Sequence, residues 1–274
     1  MNSDEKGSSS GLDISNPAKL KRALGLKMGL AVVVGNVIGS GIFLKPGAIA
    51  AESGQFGLII SVWLLGGGLC ILGALCIAEL ATMFPRAGGI YVYLREAYGQ
   101  PVAFLFGWME FSLSRPASLG ALSAAFVGSL SLALGWQTSQ FAEVVLVLIL
   151  IGVMAWVNII GVIWGGRVQM VTTLIKGTSL SLMAALPILF YSVTGVGIEL
   201  TNYASTVIPR ESGLFSQVSA VLLAVMWAYN GWHGITPLTE EVRDPQRVIP
   251  RALFGGIGIL IFLYISANLA YHGV

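Results

Sequence analysis

The chain has 274 residues, of which 55% are hydrophobic and 10% charged, with 35 glycines and a net charge of +2. Soluble domains carry roughly 25% charged residues, so this composition excludes an ordinary water-soluble globule. So small a net charge also excludes a global electrostatic attraction to nucleic acid. An integral membrane protein remains, in which glycine lets helices approach closely.

The N-terminal stretch 1–16, MNSDEKGSSSGLDISN, is polar and lacks an apolar core, so no cleavable signal peptide is expected. Residues 1–23 read as a disordered cytoplasmic tail. Runs of about 20 apolar residues are long enough to cross the hydrocarbon core. Seven follow in order: residues 26–51, 57–84, 101–134, 141–162, 168–193, 214–238 and 252–271. Cys70 and Cys76 share the second run and read as small hydrophobes, not as a disulfide or metal pair.

Lysine and arginine collect on the cytoplasmic side of membrane proteins. Lys6, Lys19, Lys21, Arg22 and Lys27 precede the first span, and Arg86 and Arg95 lie between the second and third. Arg167 lies between the fourth and fifth, and Arg243, Arg247 and Arg251 between the sixth and seventh. The opposite side holds Lys45 and Arg210. The N-terminus is therefore expected in the cytoplasm, against a receptor-type or retinal-type reading of seven spans.

Two spans are interrupted. The first breaks at Gly39-Ser40-Gly41 within GNVIGSGIF, and the sixth within WAYNGWHGITP, residues 227–237. There Asn230, Gly231, His233, Gly234 and Pro237 all disfavour a continuous helix. Gly35 and Gly39 also form a GxxxG pair, which by itself fits plain helix packing. The two breaks lie in spans that start from opposite sides, five spans apart. That is the pattern of an inverted-repeat secondary transporter.

The motifs GNVIGSGIF, IAELATMFPRAGGIYVYLREAYG (77–99) and WAYNGWHGITPLTEEVRDPQRVIPRAL (227–253) resemble those of the amino acid–polyamine–organocation transporter superfamily. GWMEFSLSRPAS (107–118) and NLAY (268–271) resemble its L-type amino acid transporter and bacterial serine/threonine exchanger branch. The resemblance implies an all-α membrane fold of LeuT type with about twelve spans in two inverted five-span repeats. Residues 24–193 would form the first repeat, 194–213 an extracellular loop, and 214–274 the first two spans of the second. A chain ending after seven spans is expected to be a truncated product.

The implied activity is Na⁺-independent exchange or proton-coupled uptake of neutral L-amino acids at the plasma (inner) membrane. A cationic amino acid or polyamine carrier, or a non-transporting fragment, stands as the alternative. A broken helix leaves unpaired N–H and C=O groups, each costing several kcal/mol in lipid. An amino acid zwitterion supplies partners for both. Its carboxylate suits the N–H groups of Ser40, Gly41 and Ile42 at a half-helix N-terminus. Its ammonium suits the carbonyls of Val37 and Ile38 and, from the sixth span, Trp227, Ala228 and Asn230. Glycine at 39, 41 and 231 keeps a Cβ from blocking the ligand.

By the same resemblance Trp227 closes over the substrate, and a neutral Asn230 favours a neutral substrate. Lys176, about 13 Å along a helix from Arg167, is expected to occupy the place of a bound Na⁺ and to bond the unwound first span. Glu110 and Arg115 are five residues apart, about 140° around an α-helix, and are expected to pair with other spans. His233 reads as structural, and Glu79 and residues 240–244 as cytoplasmic gating or loop links. The 135–140 loop has no cysteine, so no disulfide-linked heavy chain is expected. No cofactor, metal or catalytic motif is expected.

Overall fold

A computed structural model describes residue 22 and residues 24–273, apart from 138, 161, 196, 205 and 207–212. The side chains of 158, 160 and 162–169 are also outside the description. Lys6, Lys19, Lys21, Arg210 and the side chain of Arg167, with nearly all of the 1–23 tail, thus lie outside the described residues.

The described residues are helical, with two isolated bridges, Leu24 to Val242 and Gln55 to Thr206. The first span is in three pieces, α1 (Leu26–Val37), α2 (Ser40–Leu44) and α3 (Pro46–Ser53). After α4 (Phe56–Met83), a short α5 (Ile90–Tyr98) leads into α6 (Gln100–Met109), a π-helical turn (Glu110–Ser114) and α7 (Arg115–Leu134). Then come α8 (Gln140–Ile160), α9 (Val162–Thr194), α10 (Leu214–Tyr229), a 3₁₀ segment (Trp232–Glu241) and α11 (Pro245–Gly273). Among the described residues six stretches are long and apolar enough to cross a membrane, and the fragmented first span makes a shorter apolar helix at Leu26–Val37.

α11 is the hub, packing against α4, α1 and α9, while α4 also packs on α10. Val33, Trp63, Val225, Tyr229, Ile257, Leu260 and Tyr264 are buried at these crossings. Small residues make the approach possible. A Cβ on Gly66 would lie 2.6 Å from Val225 Cγ1, and one on Gly67 2.6 Å from Ile261 Cγ1. α7 and α8 pair with each other, and their apolar side chains, Phe126, Leu132, Leu148 and Trp156 among them, face outward. In lipid those side chains are well solvated and need no protein cover.

Two elements differ from the sequence expectation. α5 is a helix where a loop is expected between the second and third spans. Its Val92 and Tyr93 are buried, because the turn before it docks under the sixth span. Gly89 lies so close that a Cβ would meet the Pro237 nitrogen at 3.0 Å, and the Ala87 N–H donates to Glu240 at 3.2 Å. α11 begins at Pro245 rather than at 252, since a helix can run past the bilayer edge and leave Gln246, Arg247 and Arg251 exposed. Beside it the chain entering the first span is tied to the chain leaving the sixth. Leu24 N–H donates to the Glu241 carbonyl at 3.0 Å, and Arg243 N–H to the Leu24 carbonyl at 2.8 Å.

Candidate functional site

The break in the first span is short. α1 ends at Val37, Ile38 turns to an extended ψ of 92°, and Gly39 is extended before α2 restarts. No side chain caps α2, so its first N–H groups depend on something outside the helix. In the sixth span α10 ends at Tyr229, Asn230 is extended, and Gly231 has a φ of +110° before the 3₁₀ segment. That left-handed angle suits glycine, and a Cβ there would also lie 2.9 Å from the Asn36 carbonyl oxygen.

The two breaks touch. A Cβ on Gly41 would lie 2.7 Å from the Ala228 Cα, and one on Gly234 would overlap the Asn36 amide. Between them opens a cavity of about 300 Å³. From the first span it is lined by Asn36, Val37, Gly39, Ser40 and Gly41. The sixth span contributes Trp227, Ala228, Asn230, Gly231, His233 and Gly234, and α7 contributes Arg115, Ser118 and Leu122.

Of the residues expected at a site, Val37, Gly39, Ser40, Gly41, Trp227, Ala228, Asn230 and Gly231 come together here. Ile38 and Ile42 do not line the cavity and are fully buried. Ile38 faces Thr173 and Leu263 around a separate recess. Lys176 is half-buried on α9 and does not line the cavity, and no bond from its ammonium to the first span is present among the described residues. It is Thr173, one turn earlier, that contacts Gly35.

Three of the carbonyls expected to receive an ammonium already have a partner, that of Trp227 accepting from the Asn230 N–H at 3.2 Å. The Tyr264 hydroxyl lies 3.2 Å from the Val37 carbonyl oxygen and 3.1 Å from that of Ala228. One phenolic proton is shared between the open ends of both broken helices. Tyr264 is fully buried and wedged between Trp63 and Tyr229, with ring centroids 5.2 and 5.1 Å away. Nothing in the sequence beyond a polar aromatic in an apolar span marked it.

The expectation for Glu110 and Arg115 is corrected. They pair with each other, Arg115 Nε donating to Glu110 Oε2 at 2.7 Å. The 140° separation holds for an α-helix, but here the Arg115 N–H bonds the carbonyl of Glu110, five residues back. That π turn stacks residues five apart. Pro116 supplies the cause, since it has no N–H for the Ser112 carbonyl and its ring crowds that group. Arg115, Ser118 and Leu122, spaced by three and four, then form one stripe on α7 facing the cavity.

The amino acid permease family model matches residues 24–274. The chain belongs to the amino acid permease family. This permease is 36% identical over 251 residues to the serine/threonine exchanger SteT of Bacillus subtilis, covering 92% of this chain and 55% of that protein. It is 31% identical over 259 residues to the mouse Asc-type amino acid transporter 1 (94% of this chain, 48% of that one). To the mouse b(0,+)-type amino acid transporter 1 it is 33% identical over 260 residues (93% and 52%). The permease thus spans about half the length of the curated relatives it matches. Its family and its apolar helices make it a multi-pass integral membrane protein.

Proposed function

We propose that this permease carries neutral L-amino acids across the plasma (inner) membrane by alternating access, without Na⁺ and with its N-terminus in the cytoplasm. The observation that carries the proposal is two interrupted helices meeting backbone to backbone at one cavity of about 300 Å³. That volume is at the lower end of small-ligand sites. The substrate carboxylate accepts from the N–H groups of Ser40 and Gly41, which line the cavity. The ammonium donates to the Asn230 carbonyl and to the second lone pairs of the Val37, Trp227 and Ala228 carbonyls, all four residues lining the cavity. Trp227, 53% exposed, is the side chain free to fold over a bound substrate.

Neutrality of the substrate follows from the lining. It includes the Arg115 cation and no carboxylate, and Glu110 is already engaged with Arg115. A dibasic or polyamine substrate lacks a countercharge. Lys176 stands in for a coupling cation. The matched proteins are named as a serine/threonine exchanger and amino acid transporters, which supports the substrate class.

In the LeuT-type arrangement we propose, residues 24–193 form one repeat, 194–213 an outer loop, and 214–274 the start of the inverted second. The packing of the first, second and fifth spans and the 3₁₀ segment of the sixth on α11, with α7 and α8 paired to one side, supports two bodies that rock against each other. With no cysteine in the 135–140 loop, no disulfide-linked heavy chain is part of the proposal. The test is reconstitution in proteoliposomes. Saturable, mutually competing uptake of L-serine, L-alanine and L-leucine is expected, and preferential uptake of arginine or putrescine refutes the reading.

A further inference from the structure

The backbone of an amino acid is accounted for by the two breaks, and the third wall of the cavity, on α7, is left for its side chain. That wall is graded: Arg115, then Ser118 one turn on, then Leu122. Arg115 lies about 22 Å into a span that begins at Gln100, at 1.5 Å per residue, so its charge is held at mid-membrane depth, where a bare guanidinium is costly. Glu110 neutralises it at 2.7 Å, and the π turn is what makes that pairing geometrically available. A guanidinium has five N–H donors. Glu110 takes the one on Nε, and among the described residues the terminal nitrogens have no partner.

We infer that Arg115, positioned by Glu110 across the π turn, is the specificity-determining residue of the site. It selects neutral amino acids whose side chain carries a hydrogen-bond acceptor, a hydroxyl or an amide. This rests on the amino acid transport reading above. The Arg115 side chain is 74% exposed, so its spare donors are open to a substrate. An acceptor there bonds them where an aliphatic side chain does not, and sites that bond a polar group discriminate against analogues lacking it. The pair is neutral in sum, so charged side chains are refused in both directions. A carboxylate has to displace Glu110 and strand it, and an ammonium meets the guanidinium as a like charge.

The test uses the 274-residue chain in proteoliposomes, with equilibrium binding of radiolabelled L-serine and competition by L-alanine, L-aspartate and L-lysine. Serine is expected to bind about tenfold or more tightly than alanine, and far more tightly than either charged amino acid. Glu110→Gln leaves the cavity with a net positive charge, and aspartate is expected to gain about tenfold relative to serine. Arg115→Gln leaves Glu110 unopposed, so lysine gains instead and the serine-over-alanine preference disappears. Glu110→Gln combined with Arg115→Gln loses both gains, a pattern that a merely structural role does not produce.

If a neutralised variant fails to fold, Arg115→Lys decides. It keeps the charge but not the fork, so charged competitors stay weak while serine loses its advantage over alanine. Serine binding with an unaltered rank order across the variants overturns this inference alone. Failure of the unmodified chain to bind any of the four overturns the transport reading, and the inference with it.

Discussion

Substituting Gly41 by alanine tests whether the contact between the two broken spans shapes the site. A Cβ built there lies 2.7 Å from the Ala228 Cα, 3.0 Å from its Cβ and 3.4 Å from its nitrogen. Carbon atoms rest at about 3.5–4.0 Å, so α2 and α10 must separate by about 1 Å. The closest atom is backbone, so no rotamer change relieves it. Overpacking of this kind costs about 1–3 kcal/mol. Gly41 and Ala228 both line the cavity, so the displacement falls on the site itself. At 1.4 kcal/mol per tenfold, strain expressed in the bound geometry weakens L-serine binding about 5- to 150-fold. Thermal unfolding in detergent and equilibrium binding of L-serine are the paired readouts. Gly39→Ala is the control. Its Cβ meets only the Val37 carbonyl oxygen, at 3.7 Å, so it leaves stability unchanged while placing a methyl group by the cavity. Adding Ala228→Gly to Gly41→Ala removes the 3.0 Å contact but not the 2.7 Å one, so it rescues in part. Equal unfolding temperatures for Gly41→Ala and the parent refute the argument.

Tyr264→Phe removes one oxygen and strips the Val37 and Ala228 carbonyls of their shared donor. A loss of about 1–3 kcal/mol in unfolding free energy is expected, and an unchanged denaturation midpoint contradicts the bridging role. Uptake in proteoliposomes is expected to be equal in Na⁺ and choline media, and a strict Na⁺ requirement removes Lys176 from the cation's place. In α5, between the second and third spans, burial pushes the Tyr93 phenol above its ordinary 10.0, with neighbouring Thr239 opposing. The folded state therefore favours the protonated form. That stability is intact below about pH 10 and is lost as pH rises through the raised folded value. Tyr93→Phe is expected to flatten the alkaline limb of the stability profile, and identical limbs in the two proteins refute this.

What was legible in the sequence is what acts on the local backbone. Gly39, Asn230, Gly231 and Pro237 each weaken a helix where they stand, so both breaks could be read without knowing what lies opposite. The order and rough extent of the spans were legible too, since apolar length has a direct meaning in a bilayer, but the start of α11 at Pro245 was not. α5 was not. Its nine residues become a helix because Val92 and Tyr93 have the sixth span to pack against. Tyr264 was not legible either, since its role exists only where three spans cross. Arg115 falls between. Pro116 announces a lost hydrogen bond, but whether the helix kinks or widens decides whether Arg115 points away from Glu110 or onto it.

The glycines of GNVIGSGIF show how two readings of one motif coexist. Helix packing and ligand access compete as explanations when the motif is taken whole, and the structure divides them by position. A Cβ on Gly35 would collide with Thr173 of α9, and one on Gly41 with the backbone of Ala228, so these two serve close approach. Gly39 has an extended φ of −124° that any residue adopts and nearly empty space where its Cβ would be. Neither strain nor packing demands glycine at that position. The remaining physical reason is the one packing cannot supply: it borders the cavity, where a side chain would occupy the space of the proposed substrate carboxylate. Gly39→Ala with full stability and weakened L-serine binding is the result that separates it from its neighbours.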